Sequence, residues 1–199
     1  MADVLFGDYN PGGKLPVSVP RTVGQIPIHY NHKRTGRPPS SEEKYTSKYL
    51  DSPWTPLYPF GYGLSFTRFE YGQPRLSERR MVLNTGRALT VEVDVKNAGE
   101  RAGDEVVQLY VRDEVATVTR PVKQLRKFLR IHLQPRELRV VRFVLGPDDL
   151  AFYDQDLRHV IEPGFFTVYV GGSSVDIQEA RFEVVANDST SLPTSVPTS

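Results

Sequence analysis

The sequence predicts a mainly β protein organised as an antiparallel β-sandwich. Three observations carry that reading. Short runs of β-branched and aromatic residues recur through residues 67–186, turn residues separate them, and apolar side chains alternate with polar ones inside the runs. No convincing long helix interrupts the series, and strands at this spacing must bury one face against an opposing sheet. A barrel of similar strand count satisfies the same periodicity, so sandwich and barrel are not separated at this level.

The strands follow in order. Leu89, Val91, Val93 and Val95 alternate with Thr90, Glu92, Asp94 and Lys96, the period of a half-buried strand, and Asn97-Ala98-Gly99-Glu100 supplies a turn. Residues 105–112 form a second strand, with Val107, Leu109 and Val111 on one face and Val106 and Tyr110 on the other. Residues 123–133 are a third region and 139–145 a fourth. Pro163-Gly164 opens residues 165–170, where Phe166, Val168 and Val170 share a face. Gly171-Gly172 leads to a last strand over 180–185, carrying Phe182 and Val184. About seven strands result. Each fully buried aliphatic side chain contributes roughly 1.5–3 kcal/mol, so residues 67–186 are expected to be the folding unit.

Composition bounds the function. The chain has 199 residues, enough for one good-sized domain and part of another. Twenty-five basic and twenty-four acidic residues leave a formal net charge of +1, so no global field draws it to nucleic acid or to an anionic membrane. No apolar run approaches the roughly 20 residues that span a bilayer, and Met1 opens no signal-peptide pattern. Zero cysteines exclude disulfides and thiol chemistry without fixing a compartment.

Residues 1–66 differ in kind. They hold nine of the sixteen prolines and show little periodicity. Ala2 to Phe6 reads as the last turn of a helix with Gly7 in the left-handed position that ends it, and residues 14–20 read as a short extended piece. Neither has an evident partner within this zone. The expectation is therefore the end of a domain whose body lies upstream, poorly anchored by itself. Residues 57–66, Leu57-Tyr58-Pro59-Phe60-Gly61-Tyr62-Gly63-Leu64-Ser65-Phe66, are too broken by Pro and Gly for a helix and too apolar for a free loop. They read as a connection packed between two bodies. Residues 187–199, rich in Ser, Thr and Pro, are expected to be disordered.

Four collinear motifs resemble glycoside hydrolase family 3. Ala2-Asp3-Val4-Leu5-Phe6-Gly7-Asp8-Tyr9-Asn10-Pro11-Gly12-Gly13-Lys14-Leu15-Pro16 is similar to the closing segment of that family's second domain. The pieces Val23-Gly24-Gln25-Ile26-Pro27-Ile28, Tyr30-Asn31-His32-Lys33 and Thr35-Gly36-Arg37-Pro38 continue in the family's order. Residues 58–67 resemble its linker signature, and Arg120-Pro121-Val122-Lys123-Gln124-Leu125 a segment of its fibronectin type III-like third domain. The match covers nearly all of residues 2–186 and is nearest the periplasmic β-glucosidase branch. The resemblance implies an immunoglobulin/fibronectin III-like sandwich over 67–186, a linker over 31–66, and a partial C-terminal remnant of an α/β sandwich domain over 1–30. It also implies a role in O-glycosyl hydrolysis and carbohydrate metabolism, with missing upstream catalytic domains and a β-linked oligosaccharide as partners. The full-length family would be periplasmic or secreted. A stand-alone carbohydrate- or protein-binding module is the alternative.

Two departures stand out. The family often has Pro-Gly where this chain has Pro135-Arg136, for which a type I turn is expected, and Gly where Lys127 stands. Both positions are expected in surface connections.

Retaining glycosidases need a nucleophilic carboxylate and an acid/base carboxylate across the scissile bond. In the family both lie upstream of the segment matched here, and none of Asp8, Glu42, Glu43 or Asp51 falls in a catalytic motif. No catalytic residue is therefore assigned, and the chain by itself is expected to be inactive. The substrate-contact candidates are His32, Arg37, Trp54, Tyr58 and Tyr62. The aromatic rings, with Phe60, are expected to fill an interdomain junction first and to stack on sugar second. His32 and Arg37 are expected to fix a loop edge near the upstream active site. His29 and His32 lack a third ligand of suitable spacing, so neither a metal nor another cofactor is assigned. Arg120, Lys123, Arg126, Lys127, Arg130, Arg136 and Arg139 form a basic run opposed in sequence by Glu137 alone. It reads as a solvated sheet edge protected by charge rather than a polyanion site, because no aromatics are interleaved to stack bases.

Overall fold

A computed structural model describes residues 1–83 and 85–187. A short helix α1 (Ala2–Phe6) comes first, closed by Gly7 at φ 86° as its sequence requires. Strands β1 (Phe69–Tyr71), β2 (Arg75–Leu76) and β3 (Arg80–Val82) precede the long strands β4 (Leu89–Asn97), β5 (Gly103–Asp113), β6 (Gln124–Leu133) and β7 (Leu138–Leu145). The pair β8 (Phe152–Tyr153) and β9 (His159–Val160) forms a small hairpin, and β10 (Gly164–Gly171) and β11 (Ile177–Val185) end the series. Among the described residues no helix is long and apolar enough to cross a membrane.

Two sheets form, and they share no ladder. In the first, β1 and β2 pair with one edge of β4 while β7 pairs with its other edge along Leu89↔Leu145 to Lys96↔Leu138. The second runs β3-β11-β10-β5-β6, antiparallel except for the parallel β3–β11 pair. This is a sandwich and not a closed barrel.

The alternation seen in sequence becomes the core. Leu89, Val91, Val93 and Val95 are all fully buried, facing Val107, Leu109, Phe166, Val168, Val170, Phe182 and Val184 of the other sheet. The Phe166 and Phe182 rings stack at 5.6 Å.

On the opposite face of β5, Gln108 and Tyr110 are as inaccessible as that core. Residues 1–66 cover them. Tyr30 stacks on Phe60 at 4.3 Å, and both rings meet the edge of Tyr110 at 5.7 and 6.5 Å.

Here the structure corrects the expectation of an unpartnered N-terminal zone. The extended piece over 14–20 pairs with the 57–66 segment: the Leu15 amide donates to the Tyr62 carbonyl and the Gly61 amide to that of Leu15, both at 2.8 Å. Val19 and Tyr58 form an antiparallel bridge further on. The pairing was hidden because some forty residues without regular structure separate the two pieces. The zone is also tied to the sandwich. The Asn10 amide donates to the Ala102 carbonyl at 2.8 Å, the Leu125 amide to the Tyr30 hydroxyl at 3.1 Å, and the Val122 amide to the His32 carbonyl at 3.0 Å.

Two further expectations are corrected. Arg136 has φ 65°, and the Glu137 amide donates to the Gln134 carbonyl at 3.1 Å, so Pro135-Arg136 forms a type II turn with Arg in the position that favours Gly. Its guanidinium is held by the Ala98 carbonyl at 3.0 Å and by Glu100, which stabilises the unusual backbone. Lys127 lies inside β6, beside a bulge, and not in a surface connection; its ammonium meets Asp149 at 2.8 Å. Of the basic run, Arg126, Lys127 and Arg130 lie on β6, which ends the five-stranded sheet; Arg120 and Lys123 precede it and are half-buried rather than solvated, Arg136 is in the turn and Arg139 on β7. Yet Arg130 meets Asp104 and Arg136 meets Glu100, so tertiary neighbours neutralise charges that sequence leaves unopposed. The tail expected to be disordered lies, from residue 188 on, outside the described residues.

Candidate functional site

The 57–66 segment sets the geometry of the whole N-terminal face. Gly61 has φ 80°, and a Cβ there would overlap the Gln108 side-chain amide; one at Gly63 would overlap the Gly13 carbonyl. Gln108 uses the close approach: its amide donates to the carbonyls of Gly61 at 3.4 Å and Gly172 at 2.7 Å, while its carbonyl accepts from the Tyr110 hydroxyl. The Ser174 amide donates to the Phe60 carbonyl at 2.9 Å. Phe60 is thus a packing residue.

Beside this seal lies a cleft of about 460 Å³, lined by residues from 25–54 together with Arg112 of β5 and Val122. Gln25 builds one wall. It is only 2% exposed, accepts from the Arg21 amide, and donates to the carbonyls of Pro53 at 2.6 Å and Thr55 at 3.3 Å. These are the neighbours of Trp54, so a buried amide fixes the backbone on both sides of the ring. Trp54 and Tyr49 remain 37% and 43% exposed and offer aromatic faces, while His29, His32, Arg34 and Arg112 supply polar groups. Aromatic faces with a few convergent donors suit a sugar ring.

The structure brings His32 and Trp54 to this one cleft and distributes the other named residues elsewhere. Tyr58 packs against Tyr62 at 5.0 Å, and Tyr62 lines a different depression beside Lys14 and Glu105. Arg37 lines neither, and its carbonyl accepts from the Ser47 amide at 3.0 Å. Gln25, Tyr49, Arg34 and Arg112 were not singled out in sequence. Nothing in the residues around Gln25 signals its burial, whereas Arg112 was placed on a strand whose face the alternation defines.

No carboxylate lines the cleft. Two carboxyl groups elsewhere carry raised pKa values. Burial pushes Glu105 up against the opposing pull of Lys14 and Tyr71, which contact it at 3.1 and 2.7 Å. Burial also raises Asp113 to about 6. Both lie on β5; Glu105 lines the Tyr62 depression together with Asp176 but is already engaged by Lys14 and Tyr71, and Asp113 is nearly inaccessible, so neither is a free carboxylate facing an open cleft. Among the described residues no group of three or more His, Cys, Asp or Glu is arranged to hold a metal ion.

Residues 1–66 match the glycosyl hydrolase family 3 C-terminal domain, and residues 105–174 a fibronectin type III-like domain. Over 187 residues the chain is 46% identical to a periplasmic beta-glucosidase of Salmonella typhimurium, covering 93% of this chain and 24% of that relative. The chain belongs to glycoside hydrolase family 3. A beta-xylosidase of Formosa agariphila is 48% identical over 87% of the chain and 23% of its own length. A beta-glucosidase from Listeria innocua, solved in complex with glucose, superposes with a TM-score of 0.87 at 46% identity, covering 92% of this chain and 25% of that one. The chain therefore spans about a quarter of the length of these family 3 relatives and corresponds to their C-terminal region. The family 3 match agrees with the sandwich observed, and the fibronectin-like segment lies within it, from β5 to the turn after β10.

Proposed function

We propose that the chain is the C-terminal, non-catalytic portion of a β-glucosidase-type enzyme, supporting a catalytic body that hydrolyses O-glycosyl bonds. The observation that carries this is chemical: the cleft holding Trp54, Tyr49 and His32 has no carboxylate in its lining, so it can hold a sugar but cannot cleave one. Residues 1–66 also display large apolar side chains, Leu5, Phe6 and Val23 each about four-fifths exposed, which suit packing against the remaining three quarters of a family member. His32 and Trp54 are proposed to touch a β-linked saccharide from the edge of the active site. The Salmonella relative is named periplasmic, and the same or a secreted location is proposed here.

The test is a chimera. The matched quarter of the Listeria innocua β-glucosidase is replaced by this chain, and hydrolysis of an aryl β-glucoside is compared with that of the enzyme lacking the quarter. Activity returning to within about tenfold of the parent supports the proposal; a folded chimera as inactive as the deletion overturns it. The sugar contact is read separately. Trp54 is the only tryptophan, so its emission reports the cleft directly as cello-oligosaccharide is added to the chain. Tight, saturable binding by the isolated chain would favour the stand-alone binding module instead.

A further inference from the structure

One pair of arginines in the basic run faces a cleft of its own. Arg120 and Arg126 line a second cleft of about 590 Å³ between Lys33 and the β8–β9 hairpin. Both guanidiniums donate to the same acceptor, the Gln124 side-chain carbonyl, each at 3.0 Å. Two cations are thereby held around one neutral oxygen. Arg120 Nη1 and Arg126 Nε have no hydrogen-bond partner among the described residues, although both atoms are inaccessible. Neither residue is within ion-pair distance of a described carboxylate.

The placement is built rather than incidental. Leu109 pairs with Lys127 and Tyr110 with Leu125, so Arg126 is the extra residue of a β-bulge, a device that re-aims a side chain. Arg120 lies over the Phe152 ring at 4.3 Å, which fixes its plane. Lys33 and His159 add donors to the rim, against Asp148 as the single acid in the lining. Burial holds Arg120 below its ordinary pKa, and Arg126 acts in the same direction, while Asp113 and Glu162 pull the other way. An unpaired arginine pair of this kind matches the planar or tetrahedral oxygens of a carboxylate or phosphate.

We propose that the Arg120–Arg126 cleft binds the oxyanion of an acidic sugar, a carboxylate or a phosphate ester. The oxyanion half rests on the geometry alone; the sugar half rests on the proposed glycosidase role. The site is distinct from the His32–Trp54 cleft, which shares no lining residue with it and contains neither arginine.

The 199-residue chain is titrated at low salt with glucuronate, glucose 6-phosphate, inorganic phosphate and glucose. Binding is read by calorimetry and by the arginine Nε–H resonances of Arg120 and Arg126. The expected result is saturable binding of glucuronate or glucose 6-phosphate at least about tenfold tighter than glucose, weakening as salt is added. Which of the two wins separates carboxylate from phosphate. Arg126→Gln should abolish it, and Lys33→Gln, an exposed position that leaves folding intact, should weaken it at least about threefold. Inorganic phosphate binding as tightly as glucose 6-phosphate overturns the sugar half. No saturable response of the arginine resonances to any anion overturns the site itself, whatever the chimera shows about hydrolysis.

Discussion

Lys14 Nζ lies 3.1 Å from Glu105 Oε2, joining the N-terminal zone to the second long strand of the sandwich across 91 residues of sequence. Glu105 is 5% exposed at its side chain and also accepts from the Tyr71 hydroxyl at 2.7 Å. The contact explains why residues 1–66 are part of the fold: a carboxylate has been buried where, among the described residues, Lys14 from that zone is the cation that compensates its charge. The same hydroxyl is pushed far above its ordinary pKa, first by burial and then by the Glu105 charge, so Tyr71 stays a donor at every physiological pH.

Removing that compensation should be costly. Lys14→Met leaves a buried carboxylate facing Tyr71 alone, and a loss of about 3 kcal/mol at neutral pH is expected. Glu105 already has a folded pKa above its unfolded one, so the folded state binds the extra proton and stability falls as pH rises through the raised value. Losing Lys14 raises it further. The gap between parent and variant should widen from pH 5 to pH 8 in urea unfolding, and a gap independent of pH would contradict the assignment.

Asp113 obeys the same sign. Burial lifts it from 3.8 to about 6, so its stabilising contribution is complete below pH 4 and is lost as pH rises to 6 and beyond. Asp113→Asn keeps an acceptor for the Val115 amide and removes the titration. The variant should melt higher than the parent at pH 7 and coincide with it below pH 4, as followed by circular dichroism.

Arg136 tests backbone strain apart from side-chain contact. Arg136→Gly and Arg136→Ala both lose the bonds to Ala98 and Glu100, but only Gly is at ease at φ 65°. The glycine variant should be the more stable of the two by about 1 kcal/mol, a difference measurable in parallel denaturation curves.

Gln25→Ala tests the wall of the saccharide cleft. The variant leaves the Pro53 carbonyl without its buried donor and the Thr55 carbonyl with the Arg21 guanidinium alone, for a cost of about 1–3 kcal/mol. Because the sole tryptophan sits between them, its emission should shift red as the ring is released, well below the unfolding midpoint.

These contrasts mark what sequence could and could not convey. Strand faces were legible because a period of two leaves little freedom: Val91 and Val93 had to point one way and Glu92 the other. The 57–66 segment was legible as a packed connection, but not that Gln108 approaches Gly61 within it. Long-range pairing was invisible, since no local pattern says that Leu15 will bond to Tyr62 or that Lys14 will reach Glu105. The Arg136 turn was misjudged because local preference assigned a type I turn, while tertiary bonds to Ala98 and Glu100 hold the other. Of the candidate site, Trp54 and His32 were named, but the buried amide of Gln25 that positions the tryptophan follows from folding alone.

Residues 1–66 are built into the sandwich. Hydrogen exchange of the Leu15, Val19 and Gly61 amides, measured on the full chain beside those of Val93 and Val168, tests it directly. The expected result is slow exchange at all five positions with opening free energies within about 1–2 kcal/mol of one another, as for a single cooperative unit. Free-peptide exchange at Leu15, Val19 and Gly61 while Val93 and Val168 stay protected would contradict it.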